Sequence, residues 1–329
     1  MKIAFLRKYD QPPIDWIPAA VAEAGFEFVD CQPETPQEVA DVAADADIVW
    51  DMGGVSMITA EIMPQLERCG AIIRGGTGTD NIPVAEATEM GIIVANTPTA
   101  PALGVAEHTI GLILAMTRQI GRGDREIRAG GWVEDVPMPT LVRGSTIGLV
   151  GFGRIPRGVA ARLQSFGAEL VAYDPMVEPA VMAELDVRSV SFEELLVQSD
   201  VVSLHVPLLE TTHHLISETE LERMKPTSIL INTARGGIVD SFALAKALQD
   251  GTIAGAAVDV LEEEPATADD PLVGLPNIVI TPHNASRHAE LLNDFCLLAM
   301  QTVIGLSQCK WPASYVNPEV VPRWDMAER

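Results

Sequence analysis

Short apolar runs alternate with amphipathic segments along the first hundred residues of the chain. The runs are short and continuous, which is typical of strands buried on both faces of a parallel sheet. They fall at residues 2–6, 26–29, 47–50, 71–74 and 91–95. Helical patterns of polar and apolar positions fill the intervals between them. This alternation predicts a parallel sheet with helices packed on both of its faces.

The alternation is interrupted at residues 96–101, which we interpret as the crossing into a second domain. Pro101 suits the first turn of a helix that we predict to end near Arg118. This helix is apolar on most sides, as expected of a helix buried between domains or subunits. We interpret His108 on this helix as a packed histidine with satisfied hydrogen bonds and assign it no catalytic role. Residues 121–144 are predicted to be a surface excursion that could serve as a dimer arm.

The most specific pattern along the chain spans residues 145–174. An apolar run predicts a buried strand, and Gly151 and Gly153 then permit a tight turn in which backbone N–H groups can approach an anion. Asp174 stands at the end of the next predicted strand, about 20 residues further on, where a carboxylate can accept hydrogen bonds from a ribose hydroxyl. The pattern predicts a dinucleotide site. Pro156 occupies the third glycine position, and we expect a slightly displaced helix without loss of the site.

Further strands are predicted after this motif, and each ends in polar residues. The strands fall at residues 201–206, 228–232, 254–258 and 278–280. Taken singly, the polar residues have ordinary interpretations: Arg235 a surface ion pair, Asp259 a turn cap, Glu264 a solvated acid and His283 a turn residue. Because ligands of parallel sheets bind beyond the carboxyl ends of the strands, the four together are expected to converge on the cofactor crevice.

Two glycine-rich turns follow strands in the first half of the chain, at residues 51–54 and 75–81. In the second turn, Gly76, Thr77 and Gly78 could present successive backbone N–H groups as a nest for an anion. The alternative interpretation is a simple strand-to-helix turn with Asp80 as its cap.

Composition narrows the possible partners. The chain has 46 acidic and 22 basic residues among 329, a formal charge of −24. This excess argues against nucleic acid or an anionic membrane surface as a partner. The four cysteines are widely spaced and suggest neither a zinc cluster nor a disulfide framework, so no metal is expected. Residues 1–7 are too short an apolar run for a signal peptide, and we expect a cytoplasmic protein that does not enter the membrane.

These residues resemble the D-isomer-specific 2-hydroxyacid dehydrogenases over most of the chain. Residues 74–82, RGGTGTDNI, are similar to the family's substrate-carboxylate loop. Residues 230–240, LINTARGGIVD, carry the pattern around its substrate-binding arginine. In residues 259–265, DVLEEEP, an acid directly precedes proline, and residues 282–283 supply the family's Pro-His pair. The sequence departs from the family's pattern at Pro156 and at residues 284–286, which follow the histidine.

The resemblance implies two doubly wound parallel-sheet α/β domains. A Rossmann cofactor domain of residues 99–287 would be inserted into a discontinuous flavodoxin-like substrate domain of residues 1–98 and 288–329. It also implies NAD as cofactor, and Asp174, with no Arg or Lys in residues 175–186, favours NAD over NADP. The implied cofactor contacts are Gly151, Gly153, Arg154, Ile155, Asp174, His205, Val206, Pro207, Thr233, Ala234, Asp259 and His283.

The implied reaction is hydride transfer between NAD(H) and a small 2-oxo or 2-hydroxy acid of the D series. His283 would exchange the proton, and Glu264 would orient its ring and favour its protonated form. Arg235 would bind the substrate's carboxylate and reacting oxygen, with Gly76, Thr77 and Gly78 on the far side of the carboxylate.

Two alternatives stay open at the level of sequence. One is an NAD-sensing binding protein of the corepressor type, and the other is a formate or phosphite dehydrogenase on the same fold. The substrate's side chain cannot be chosen, because its pocket depends on Met52, Gly53 and Thr77. We expect a homodimer formed through the cofactor domain.

Overall fold

The computed structural model describes residues 1–7, 14–52 and 57–327. The chain forms two compact units, one of Met1–Pro101 with His288–Arg329 and the other of Ala102–Arg287. They are called the first and the second unit below. The second unit is therefore an insertion between two segments of the first.

The first unit contains a parallel sheet of five strands in the order β2-β1-β3-β4-β5. The elements are β1 Lys2–Leu6, α1 Trp16–Glu23, β2 Glu27–Cys31, α2 Pro36–Ala43, β3 Ile48–Asp51, β4 Ala71–Arg74, α3 Val84–Glu89 and β5 Ile93–Asn96. This is the doubly wound order of flavodoxin-like sheets. Local chemistry fixes the helix ends; in α2, for example, the Thr35 hydroxyl accepts from Glu38 N–H and Pro36 occupies the first turn.

The second unit contains a parallel sheet of seven strands in the order β12-β11-β10-β9-β6-β7-β8. Its helices are α4 Ala102–Thr117, α5 Ile120–Arg128, α6 Arg154–Leu163, α7 Pro179–Ala183, α8 Phe192–Gln198, α9 Glu218–Arg223 and α10 Ser241–Asp250. Its strands are β6 Thr146–Val150, β7 Glu169–Tyr173, β8 Arg188–Ser189, β9 Val201–Leu204, β10 Ile229–Asn232, β11 Gly255–Val258 and β12 Ile278–Ile280. The strand order reverses between β6 and β9, which is the position where Rossmann sheets bind their ligands.

The last segment of the chain returns to the first unit with α11 Leu291–Ser307. Its apolar side packs with α1 on one face of the five-stranded sheet, around Phe5 and Trp50. A second core with Val49 and Ile72 lies on the opposite face. The second unit likewise has one core on each face of its sheet. Alternate residues of each strand therefore enter opposite cores, which explains why the strands read as continuous apolar runs.

These observations confirm the predicted fold class of two doubly wound parallel-sheet α/β domains. The surface excursion predicted at residues 121–144 is only partly irregular, because its first part is helix α5. An Asp124–Arg128 pair of 2.8 Å, four residues apart, supports this helix. The two-residue strand β8 was not predicted, since it has no apolar run. Gly53 and Gly54, from the turn at residues 51–54, lie outside the described residues.

Candidate active site

The glycine turn after β6 has the geometry that the sequence predicts for a dinucleotide site. Gly151 has φ +93°, and a Cβ there would lie 2.8 Å from the His205 carbonyl oxygen, so a side chain is excluded. Gly153 precedes the first turn of α6, and a Cβ there would meet nothing within 4 Å. The open space above Gly153 and the N–H groups at the start of α6 suit a diphosphate. The residues present therefore fit NAD.

Asp174 follows β7 and holds the glycine turn in place. One carboxylate oxygen accepts from Phe152 N–H at 2.8 Å, and the other accepts from Met176 N–H at 2.8 Å. Each oxygen retains a further lone pair. The half-buried carboxylate can therefore accept from a ribose hydroxyl while it fixes the turn.

Pro156 lies buried in the first turn of α6, and the helix forms around it. Its missing N–H would have had no partner in the helix, so no helical hydrogen bond is lost. Close packing occurs half a turn later, where a Cβ on Gly158 would lie 3.3 Å from Ala106 Cβ of α4. Arg154 and Ile155 occupy the first two positions of the helix, exposed and half-buried respectively. The expected displacement of the helix stays a prediction.

The segment after β9 begins with His205, Val206 and Pro207, which the sequence assigned to the cofactor. His205 Nε2 lies 2.9 Å from Ser203 Oγ. Burial lowers the pKa of His205 to about 3, so its imidazole is neutral at physiological pH. Val206 is half-buried and Pro207 is exposed. This wall of the proposed crevice is therefore uncharged.

Arg235 lies in a loop after β10 that is fixed by the buried side chain of Asn232. The Asn232 amide donates to the Arg235 carbonyl at 2.9 Å and accepts from Ala234 N–H at 3.0 Å. Thr233 Oγ1 lies 3.0 Å from Thr109 Oγ1 of α4. A Cβ on Gly236 would lie 2.0 Å from the Leu261 backbone, so this glycine lets the loop pack directly on the segment after β11.

Asp259, at the end of β11, is only 1% exposed. Its carboxylate accepts from Asn284 N–H at 3.0 Å, from Ala285 N–H at 2.8 Å and from the Thr281 hydroxyl. A buried carboxylate is stable only when it is hydrogen-bonded in this way. Asp259 therefore fixes the backbone of the two residues that follow His283. The predicted contact of Asp259 with the cofactor stays a prediction.

His283 and Glu264 are brought together by the loops after β11 and β12. His283 Nδ1 lies 2.6 Å from Glu264 Oε2, and Glu264 Oε1 accepts from Leu261 N–H at 3.0 Å. The bond at Nδ1 orients the ring and leaves Nε2 to exchange a proton with a ligand. The His283 side chain is 49% exposed, so its ring is partly open to solvent.

The glycine-rich turn in which an anion nest is predicted lies in the first unit, after β4. The Gly76 N–H donates to Thr97 Oγ1 at 2.8 Å and is not available to a ligand. The Asn96 side chain donates to the Thr77 carbonyl at 2.7 Å, which fixes the turn further. Among the described residues, the backbone N–H groups of Thr77 and Gly78 donate to no protein group. The predicted role of Gly76, Thr77 and Gly78 in binding an anion stays a prediction.

Several residues that build these loops were missed by sequence reasoning. Asn232 and Thr281 have no motif of their own, and their roles follow only from the contacts between loops. His214 is another case: its Nε2 lies 3.0 Å from Glu262 Oε2. Burial acts to raise the pKa of the Glu262 carboxyl, but the hydrogen bonds from His214 and Ser241 outweigh it, and the pKa is lowered. The sequence alone does not show which charged residues form pairs, because partners such as His214 and Glu262 meet only in the folded chain.

No group of three or more His, Cys, Asp or Glu side chains within residues 1–7, 14–52 and 57–327 could hold a metal ion. No helix in the same part of the chain is long and apolar enough to cross a membrane.

Comparisons with known proteins identify the class. The family model described as D-isomer specific 2-hydroxyacid dehydrogenase, NAD binding domain, matches residues 110–285. A glyoxylate reductase of Korarchaeum cryptofilum (strain OPF8) is 42% identical over 268 residues, which cover 80% of this chain and 81% of that protein.

Solved structures agree with this assignment. A glyoxylate reductase from Paecilomyes thermophila has a TM-score of 0.87 at 28% identity, over 97% of this chain and 98% of that chain. The NAD-complexed D-isomer specific 2-hydroxyacid dehydrogenase of Lactobacillus delbrueckii ssp. bulgaricus has a TM-score of 0.79 at 27% identity, over 96% and 100% of the two chains.

The fold and the site define an NAD-dependent oxidoreductase that acts on 2-oxo and 2-hydroxy acids. The chain belongs to the D-isomer specific 2-hydroxyacid dehydrogenase family. This confirms the predicted family, cofactor and reaction class, and it sets aside the non-catalytic alternative.

Proposed function

We propose that the second unit holds NAD(H) along the ends of β6, β7 and β9 and that the His283–Glu264 pair performs proton transfer on a small 2-oxo acid. The observation that carries this proposal is the 2.6 Å contact between His283 Nδ1 and Glu264 Oε2, at the sheet edge that also bears the glycine turn. When bound, the cofactor supplies or accepts the hydride at C2 of the substrate.

His283 supplies the proton in reduction. Hydride addition leaves negative charge developing on the substrate oxygen, so an adjacent general acid lowers the barrier. The Nε2 of His283 is the accessible ring nitrogen, because Nδ1 is engaged by Glu264. In the oxidative direction the same nitrogen removes the proton.

Arg235 binds the carboxylate and the reacting oxygen of the substrate. A guanidinium presents donors in a fixed planar fork that matches such a group. Its loop is held by Asn232 and by the packing of Gly236 on Leu261, which restrict the backbone. In the first unit, the backbone N–H groups of Thr77 and Gly78 would serve as donors to an anionic ligand.

The substrate is a small 2-oxo acid, and glyoxylate is the first candidate. The support is the 42% identity to a glyoxylate reductase over 80% of the chain. The test is NADH oxidation by the purified protein with glyoxylate, pyruvate, hydroxypyruvate and branched 2-oxo acids, repeated with His283→Ala. Loss of a general acid costs roughly 10²- to 10⁴-fold in rate, and NADH affinity should survive. Normal turnover of His283→Ala would refute the assigned role.

The protein forms a homodimer through residues 118–144 of the second unit. This segment exposes several large apolar side chains, which is unusual for a surface that faces only water. They are Ile120, Ile127, Trp132, Val133, Met138 and Leu141, each more than half exposed. Light scattering should give twice the 35.3 kDa chain mass, and Trp132→Glu with Met138→Glu should give the monomer. A monomer in the unaltered protein contradicts the proposal.

A further inference from the structure

His108 lies on α4 at one end of a hydrogen-bond chain that ends at the His283 loop. Its Nε2 lies 3.0 Å from Thr281 Oγ1 and 3.5 Å from Asp259 Oδ1. The Thr281 hydroxyl donates to Asp259 Oδ1, so its oxygen is left to accept from His108. The order of donation is therefore from His108 to Thr281 and from Thr281 to Asp259.

Asp259 extends this series of hydrogen bonds to the backbone of His283 and of the two residues that follow it. Its carboxylate accepts from the N–H groups of Asn284 and Ala285, and its backbone carbonyl accepts from His283 N–H at 2.8 Å. His283 itself has φ +48°, a conformation that non-glycine residues adopt uncommonly. Such a backbone persists only where surrounding bonds hold it. The bonds to Asp259 are among those that hold it here.

Helix α4 contacts two of the loops of the second unit. The neighbouring residue, Thr109, contacts Thr233 Oγ1 at 3.0 Å and also donates to the Val105 carbonyl. Two adjacent helical residues are thus bonded to the loops after β10 and β12. Those loops carry Arg235 and His283, so a single helix sets the backbone positions of both.

We propose that His108 is a positioning residue for proton transfer: through Thr281 and Asp259 it fixes the backbone from which His283 reaches the substrate. The inference rests on the proposed role of His283 and extends it to a residue that acts through Thr281 and Asp259. A displacement of about 1 Å in a reacting group can cost roughly 10²-fold in rate, so a loosened loop is expected to slow turnover measurably.

The test compares two substitutions that break the chain with one that preserves it. His108→Leu and Thr281→Val should each lower kcat for glyoxylate and NADH by about tenfold, within the range for small displacements. NADH affinity, measured by fluorescence, should be unchanged, and the solvent deuterium isotope effect on kcat should rise. His108→Gln places an amide donor near the position of Nε2 and should recover most of the rate.

Thr117→Val is the matched control, because Thr117 is a buried threonine of the same helix whose hydroxyl donates to the Ile113 carbonyl at 2.8 Å. It should leave kcat and the isotope effect unchanged. If His108→Leu and Thr281→Val lower only the free energy of unfolding, with normal kcat and isotope effect, His108 is a packing residue and the proposal is overturned.

A double-mutant cycle separates this inference from the function on which it rests. In a His283→Ala background, His108→Leu should cause no further loss of the residual rate. A further tenfold loss there would show that His108 acts elsewhere. An inactive His283→Ala protein with a normal His108→Leu protein overturns this inference alone, whereas an active His283→Ala protein refutes the proposed function and this inference with it.

Discussion

The two units share one architecture, a doubly wound parallel sheet, but the carboxyl ends of their strands carry different chemistry. In the first unit, Thr97 and Asn96 hold the turn after β4, and the groups left for a ligand are backbone N–H groups. In the second unit, Asn232 and Asp259 hold the loops after β10 to β12, and the side chains that these loops carry are titratable or charged.

The comparison shows that buried polar side chains perform the same task in both units. Each forms hydrogen bonds with loop backbone groups that would otherwise be unpaired. Each thereby fixes a loop whose other groups can contact a ligand. The first unit presents neutral donors, which bind an anion without changing charge during the reaction. The second presents Arg235, Glu264 and His283, which can stabilise or exchange charge. Changes in the first unit should therefore affect binding, and changes in the second should affect turnover.

The largest effect is expected from Arg235→Lys. A lysine offers a point charge in place of a planar fork, so donors aimed at the reacting oxygen are lost. We expect kcat/KM to fall roughly 10²- to 10³-fold with NADH affinity unchanged. The control is Arg223→Lys, since Arg223 forms an exposed pair with Glu193 at 3.1 Å. Near-normal steady-state kinetics in Arg235→Lys would mean that Arg235 is only a structural residue.

Thr97→Val tests the first unit. It removes the acceptor of the Gly76 N–H and leaves that buried group unpaired, which costs about 1–3 kcal/mol. The turn should loosen, and KM for the 2-oxo acid should rise about tenfold while kcat stays the same, since about 1.4 kcal/mol corresponds to tenfold in binding. Thr302→Val, on α11 of the same unit, is the control. A fall in kcat at constant KM would break the distinction between the units.

Glu264→Gln tests the contact between Glu264 and His283. The Glu264 carboxylate lies 2.6 Å from His283 Nδ1 and orients the ring, and glutamine keeps the size of the side chain but removes its charge. We expect kcat for reduction to fall, but by less than the roughly 10²- to 10⁴-fold expected for His283→Ala, with NADH affinity unchanged. Glu263→Gln, at the exposed neighbouring residue, should leave kcat unchanged. A normal kcat in Glu264→Gln, with a deuteride isotope effect showing that chemistry limits the rate, would refute the pairing.

His205→Gln tests whether the cofactor side of the second unit is uncharged. Burial lowers the pKa of His205 to about 3, from the ordinary value of 6.5, so the folded state binds fewer protons than the unfolded state between these pH values. Its stabilising contribution is complete above pH 6.5 and declines as the pH falls, by about 1.4 kcal/mol per pH unit.

Urea unfolding at several pH values from neutral to acidic measures this effect. The stability of the unaltered protein relative to His205→Gln should decrease as the medium is acidified. A difference between the two proteins that does not vary with pH would show that folding does not lower the pKa of His205.

The amino-acid sequence by itself determined the elements and the kinds of groups at their ends. Continuous apolar runs specified the buried strands, because a strand covered on both faces has no polar side. Gly151, Gly153 and Asp174 specified the cofactor turn, since few residue types permit that backbone and that hydrogen bond. Some strands end earlier than the sequence predicts. Strand β9, for example, ends at Leu204, whereas the apolar run predicted residue 206. The apolar residues continue beyond the last hydrogen bond between the strands.

Only the tertiary structure decided which polar groups are left for a ligand. The sequence shows Gly76 in a glycine-rich turn, but its N–H is taken by Thr97, 21 residues away. It shows Asp259 as an acid at a strand end, but the acid is buried beneath the His283 loop. It shows His108 as a histidine on an apolar helix, but its partner is Thr281, 173 residues away. Such pairings depend on how loops from distant strands meet, and no local pattern of residue types encodes that meeting.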